Sequence, residues 1–121
     1  MSTLTPETLR AQVISALDRF WFLQSIEEIE RTQVTVTFRL QTMRQGLFVQ
    51  VFWGSRSGTL SFTLVESDRR VFGIDFRRGQ WHMHPFDRPE EHVTLVDGLG
   101  SNPVEEFLER VEEIIVDGDF L

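Results

Sequence analysis

The three histidines of this chain, His82, His84 and His92, lie within eleven consecutive residues. Histidine is the side chain whose ordinary pKa lies nearest neutrality, and it is also a common metal ligand. His82 and His84 are two residues apart, so on a strand both imidazoles point to the same side of the sheet. Such a pair can exchange protons with one substrate or chelate one metal ion. His92 follows a loop from Pro85 to Pro89, which can fold it back towards the pair.

Three roles are open for this cluster. As general acid–base groups, the histidines would act beside a nearby carboxylate, such as that of Asp87, which can orient an imidazole. As zinc ligands, they would supply the three side chains of a catalytic site that keeps one position open. As structural residues, they would cap a loop that is anchored by Trp81, Met83 and Phe86. We expect all three histidines to be catalytic, with no metal and no cofactor.

Positive charge is concentrated around this cluster. All 12 cationic side chains are arginines, and residues 39–88 carry eight of them against four acids. Residues 89–121 carry one arginine against ten acids, and the whole chain has a net charge of −7. A guanidinium binds phosphate through two parallel hydrogen bonds. We therefore predict that a substrate anion contacts Arg56, Arg77 and Arg78; the alternative is that these arginines only solvate the surface of the sheet.

Composition excludes or disfavours several classes of protein. The chain has no cysteine, so disulfides, thiolate metal sites and a cysteine nucleophile are impossible. We expect no signal peptide in the first residues, which lack a basic start and an apolar stretch, and no apolar run approaches the length of a membrane span. We expect a cytoplasmic protein that makes no membrane contact. The 121 residues suit one domain, predicted to span residues 1–121.

Two amphipathic helices enclose a run of strands. Thr5 is predicted to cap a helix that starts at Pro6 and runs to about Phe20, and Asn102 and Pro103 begin a second helix. Between the helices, apolar residues alternate with polar ones, as in half-buried strands. Short connections favour antiparallel pairing of neighbours. The predicted fold class is α+β: an antiparallel meander sheet of five or six strands, with the N- and C-terminal helices packed on one face.

The face of this sheet away from the helices carries two phenylalanines. Phe48 and Phe52 alternate with core residues on one strand and are separated by Gln50, and the neighbouring strand presents Ser61 and Thr63 on the same face. An apolar patch on an otherwise polar face often marks an interface. We expect Phe48 and Phe52 to be covered by another chain, most simply in a homodimer.

Part of the chain resembles the small TumE-type toxins of bacterial toxin–antitoxin pairs. Those toxins have a strand that ends in an aromatic-rich segment with an aspartate, followed by a cluster of histidine and proline. In the resemblance, Asp75 matches the aspartate, and the cluster is matched by His82, His84, Pro85 and His92. The resemblance implies an RNA-cleaving toxin that is neutralised by an antitoxin protein. It rests on the segments Ser57–Phe62, Val71–Asp75, Trp81–Pro85 and Glu91–Val93.

Two functions remain as hypotheses. The first is a metal-independent ribonuclease of toxin type, in which the three histidines move protons and Arg77 or Arg78 binds phosphate. The second is a non-catalytic, dimeric domain that binds itself or another protein through Phe48 and Phe52.

Overall fold

The fold is a seven-stranded sheet preceded and followed by a helix, seen in a computed structural model that describes residues 4–118 and 120. The predicted domain also includes residues 1–3, 119 and 121, which lie outside the described residues. In chain order the elements are α1 (Pro6–Arg19), β1 (Leu23–Arg31), β2 (Thr35–Thr42), β3 (Leu47–Gly54), β4 (Thr59–Glu66), β5 (Arg69–Arg77), β6 (Gln80–His84), β7 (Val93–Thr94) and α2 (Pro103–Gly118).

Both helices begin where their sequences predict. The Thr5 hydroxyl accepts a hydrogen bond from Thr8 N, and the Thr8 hydroxyl accepts one from Thr5 N. These reciprocal bonds satisfy amides that have no partner within the helix. At α2, the side-chain oxygen of Asn102 accepts a hydrogen bond from Glu105 N at 3.3 Å. Helix α1 ends at Arg19, one residue before its predicted end.

Every strand pairs antiparallel with the next one along the chain, so the sheet is a meander. Two of its hairpins turn within two residues. Ser67 and Asp68, between β4 and β5, have φ values of 51° and 65°, and Arg78 and Gly79, between β5 and β6, have values of 55° and 77°. Positive φ at both central positions gives the tight turn whose twist matches that of the paired strands.

The predicted number of five or six strands is too low, because the two edge strands are weakly marked in the sequence. In β1 only Leu23 is buried, and most of the other residues face solvent, so apolar alternation is largely lost. Strand β7 consists of Val93 and Thr94 alone, both exposed and paired with β6. Edge strands in native sheets are often short and polar, and such strands give little periodic signal.

The two helices and one side of the sheet share a single buried core. Phe107 of α2 stacks on Phe62 of β4 and on Phe72 of β5, with ring centroids 5.2 and 5.4 Å apart. Helix α1 lies beside α2, since Arg19 forms ion pairs with Glu105 and Glu109 at 3.4 and 3.2 Å. The buried set includes Leu9, Val13, Val36, Phe38, Leu60, Phe62, Phe107, Leu108 and Val111.

The side of the sheet opposite this core is called the second face below. Strand alternation places Arg39 of β2, Phe48 and Phe52 of β3 and His82 of β6 on it. Phe48 and Phe52 are half-buried, and the guanidinium of Arg39 lies 4.3 Å from the centroid of the Phe48 ring. The Phe48 ring is therefore in contact with a cation of its own chain. Within the described ranges, neither helix is long and apolar enough to cross a membrane.

Candidate functional site

The structure brings all three histidines to one cavity. His82 and His84 lie on the same side of β6, and His92 lies in the segment that joins β6 to β7. The ring centroid of His92 is 4.4 Å from that of His84 and 6.3 Å from that of His82. This histidine cavity has a volume of about 520 Å³ and is lined by Arg70, Asp75, Arg77, Arg78, Gln80, His82, His84 and His92.

His84 is the buried member of the cluster. It is 3% exposed, whereas His82 is half-buried and His92 is exposed. Its partner across the sheet on β5 is Gly73, where an added Cβ would lie 3.6 Å from Cδ2 of the His84 ring. Glycine within a strand often marks a place where another group approaches the backbone closely. The tighter approach at Gly73 is to the backbone oxygen of Phe62 on β4, 3.2 Å from such a Cβ, and the imidazole of His84 packs beside Gly73 at an ordinary contact distance.

The backbone carbonyl of Pro89 anchors the loop that carries His92. His84 Nδ1 lies 3.2 Å from this oxygen, and Arg70 Nη2 donates a hydrogen bond to it at 3.1 Å. Because a carbonyl only accepts, the hydrogen of a neutral His84 ring must be on Nδ1. Two turns in the same loop are closed by backbone hydrogen bonds, from Arg88 N to the Pro85 carbonyl and from Glu91 N to the Arg88 carbonyl.

Asp75 faces the other nitrogen of His84. Its Oδ2 is 3.6 Å from His84 Nε2, which is too long for a hydrogen bond but close enough for an electrostatic effect. Burial lowers the pKa of His84, and the positive charge of Arg70 lowers it further, while Asp75 opposes this shift. The neutral form of His84 is thus favoured, because a buried imidazolium loses hydration.

Two of the three arginines predicted to bind phosphate line the histidine cavity. Arg77 and Arg78 are both exposed at the turn between β5 and β6. Arg56 lies in the turn between β3 and β4 and is not among the described residues that line this cavity. Its turn borders a different cavity of about 370 Å³, which is also lined by Trp53 and Trp81.

Sequence reasoning missed Arg70 and Gln80 as site residues. A register shift next to Val65 accompanies the pairing of β4 with this part of β5, and it is Arg70, not the adjacent Arg69, that lines the cavity. Nothing in the residue types predicts that irregularity. Asp75 was assigned only through the family resemblance. The pairing of β5 with β6 also places Asp75 at the site, because Asp75 is the cross-strand partner of His82.

The cavity combines accessible imidazoles with several guanidinium groups. Among the described residues, no group of three or more histidine or carboxylate side chains is arranged to hold a metal ion. His82 and His92 are accessible enough to exchange protons, and the nearby arginines can stabilise a negative charge. This set of side chains suits proton transfer beside an anionic group.

No family model matches the chain, and neither a curated protein nor a solved structure shows significant similarity to it. The resemblance to TumE-type toxins therefore stays a prediction. Function has to be argued from the chemistry of the site, since a fold by itself does not specify one.

Proposed function

We propose that this chain is a ribonuclease that cleaves RNA without a metal ion. The observation that carries the proposal is the convergence of His82, His84 and His92 on one cavity lined by arginines. Imidazole transfers protons near neutral pH, and guanidinium groups stabilise the charge that develops on a phosphate in the transition state.

Exposure assigns different roles to the histidines. His82 and His92 can reach a substrate, so one removes the proton of the ribose 2′-hydroxyl as that oxygen attacks phosphorus, and the other protonates the departing 5′-oxygen. The products are a 2′,3′-cyclic phosphate and a 5′-hydroxyl, and no further reactant is needed. His84 also lines the cavity but is almost completely buried, so in this proposal it positions His92 and does not itself transfer a proton, unlike the expectation that all three histidines are catalytic.

The test is an assay of purified protein on labelled RNA in the presence of a chelator. We expect products with 2′,3′-cyclic phosphate ends, and no cleavage of the all-deoxy strand, which lacks the attacking hydroxyl. His82→Gln and His92→Gln should each lower the rate by about 100-fold or more, because each removes a proton-transfer group. Arg69→Gln is the control, because Arg69 lies next to Arg70 but does not line the cavity. Cleavage of the deoxy strand, or activity that is lost with chelator and restored by zinc, would contradict the proposal.

We further propose that the protein acts as a cytoplasmic toxin that is neutralised by an antitoxin protein. The support for this step is the resemblance at Asp75, His82, His84, Pro85 and His92. Expression of the wild-type protein should arrest growth, and expression of His92→Gln should not. If both proteins arrest growth, the toxicity does not depend on the histidine cavity, and the proposed link between cleavage and toxicity is contradicted.

The alternative function is a non-catalytic homodimer, favoured by the half-buried rings of Phe48 and Phe52 on the second face. In that case the double replacement Phe48→Ser and Phe52→Ser should convert a dimer into a folded monomer. Sedimentation measures this directly. A wild-type protein that sediments as a monomer over a wide concentration range contradicts the alternative.

A further inference from the structure

We infer that the second face of the sheet binds a single strand of RNA, which runs from the histidine cavity across β5 and β4 to Phe52 and Phe48 on β3. The inference rests on the proposed function, because it takes as ligand the RNA that the cavity would cleave. It adds the class of substrate, an unpaired strand, and the residues that hold this strand away from the cavity.

Phe52 and His82 lie in one row of residues across the sheet. Phe52 is the cross-strand partner of Ser61, Ser61 is the partner of Asp75, and Asp75 is the partner of His82. Neighbouring strands are about 4.8 Å apart, so the three steps from β3 to β6 cover roughly 14 Å. An extended strand of a few nucleotides spans this distance.

Ser61 and Asp75 lie between the two ends of this row, and the adjacent row carries Thr63 and Gly73. Ser61 and Thr63 of β4 lie on the second face, and Gly73 of β5 is the cross-strand partner of Thr63. The two hydroxyls can donate hydrogen bonds to phosphate or ribose oxygens, which position a nucleic acid without reading its bases. These side chains are short, so a strand can lie between Phe52 and the cavity with its phosphates against the hydroxyls and away from the Asp75 carboxylate.

A cation and two aromatic rings occupy the far end of this surface. The Arg39 guanidinium lies 4.3 Å from the Phe48 ring centroid. Phe52 lies on the same side of β3, separated from Phe48 by Gln50. In the part of the chain that the structure describes, Arg39 forms no ion pair, and its buried Nε has no hydrogen-bond partner. Aromatic rings and stacked arginines are the platforms on which unpaired bases stack.

The second face carries guanidinium groups at both of its ends, which suits an extended polyanion. Arg39 lies at one end with Glu27 of β1 as its cross-strand partner, and Arg70 and Arg77 line the cavity at the other end, while Asp75 lies between them. A symmetric dimer would place this face against itself and would cover the row of residues that leads to His82. A polynucleotide instead neutralises arginines at both ends and releases its counterions.

The experiment measures binding separately from cleavage. The probe is a fluorescent 2′-O-methyl RNA of about ten nucleotides, within the range that single-strand binding sites cover, which the proposed reaction cannot cleave because its 2′-oxygens are blocked. We expect the single strand to bind more tightly than its duplex. Phe52→Ser should raise the Kd on the order of tenfold through lost stacking. Arg39→Gln should lower the slope of log Kd against log salt by about 0.7, as expected for the loss of one phosphate contact.

Matched variants guard against unfolding. Trp21→Ser removes a ring that is 56% exposed and lies outside the second face, so it should bind as the wild type does. Phe52→Leu keeps most of the apolar volume but removes the ring, so it should also weaken binding if Phe52→Ser fails to fold. Circular dichroism confirms folding of each variant.

The outcomes separate this inference from the proposed function. If the wild type cleaves RNA but the Phe52 and Arg39 variants bind the probe as tightly as the wild type, the inference is overturned and the ribonuclease stands. If the wild type binds through Phe52 but cleaves no RNA, the binding surface stands and the catalytic proposal fails. If Phe52→Ser changes sedimentation but not probe binding, the second face is an interface between two copies, and the inference is overturned.

Discussion

The imidazoles of His84 and His92 meet edge to face, with ring centroids 4.4 Å apart and an angle of 71° between their planes. The contact depends on the Pro89 carbonyl, which His84 and Arg70 both hold. A buried histidine thus supports an exposed one. Although the two residues are of one type, their replacement should have different consequences for stability and for activity.

Replacing His84 with Ala should destabilise the fold, whereas replacing His92 with Ala should not. The first change empties a buried site beside Gly73 and removes a hydrogen-bond partner of the Pro89 carbonyl, at a cost of about 1–3 kcal/mol. The second change affects an exposed side chain and should stay within about 0.5 kcal/mol of the wild type. Urea denaturation measures both. A His84→Ala variant with the wild-type midpoint would show that this ring does not anchor the loop.

The free energy of unfolding should decrease as the pH falls below the unfolded pKa of histidine, about 6.5. Burial, and then Arg70, lower the pKa of His84 in the folded protein. Below 6.5 the unfolded chain therefore binds a proton that the folded chain does not, until the lowered folded pKa is reached. One such proton contributes a slope of at most about 1.4 kcal/mol per pH unit. Urea denaturation at a series of pH values measures this slope.

The control for this pH dependence is His84→Gln, which cannot titrate at that position. Its stability should change less than that of the wild type in the range just below pH 6.5. A His84→Gln profile that follows the wild-type curve would assign the pH dependence to other groups.

Local patterns predicted the elements that present the site. Spacing by two residues placed His82 and His84 on one side of a strand, and the structure confirms that placement. Thr5 and Asn102 marked the helix starts, because capping depends only on residues within one turn. Such features involve neighbours in the sequence, so the sequence contains nearly all the information needed.

Features that depend on distant residues could not be read in the same way. The position of His92 is set by a carbonyl that Arg70, from another strand, holds in place. Arg69, next to Arg70 in the chain, carries the same charge. Only the irregular register between β4 and β5 decides which of the two arginines lies at the cavity. The arginine over Phe48 comes from β2, a contact between strands that the alternation along β3 alone does not indicate.

Arg78→Gly should remove a guanidinium from the cavity without weakening the fold. Arg78 has a φ of 55°, a left-handed conformation that costs a non-glycine residue about 1 kcal/mol. The variant should therefore be at least as stable as the wild type in urea. Its binding of the 2′-O-methyl RNA should show a salt slope lower by about 0.7, because one phosphate contact is lost.

Arg56→Ala is the matched variant for this prediction, since Arg56 is exposed in a turn that does not border the histidine cavity. It should bind the probe with the wild-type affinity and salt slope. Equal losses in Arg56→Ala and Arg78→Gly would show that general surface charge, and not the cavity, attracts the RNA.

Gly98→Ala should destabilise the fold far more than Gly58→Ala, although both glycines have left-handed backbones with φ values of 60° and 65°. A Cβ at Gly98 would overlap the indole ring of Trp81, whereas a Cβ at Gly58 would have no neighbour within 4 Å. Gly58→Ala therefore measures backbone strain alone, about 1 kcal/mol. The additional loss in Gly98→Ala, typically 1–3 kcal/mol for overpacking, reports the displacement of Trp81. Urea denaturation gives both values.

Displacement of Trp81 should also reach the cavity, because Trp81 is directly followed by His82 on β6, and its carbonyl accepts a hydrogen bond from Leu95 N beyond β7. A shift of this strand moves His82 relative to His92, which a different segment positions. Gly98→Ala should consequently lower the rate of RNA cleavage under conditions where it remains folded, while Gly58→Ala should leave the rate unchanged. Equal stability and equal activity of the two variants would show that the Trp81 ring can move aside without displacing β6.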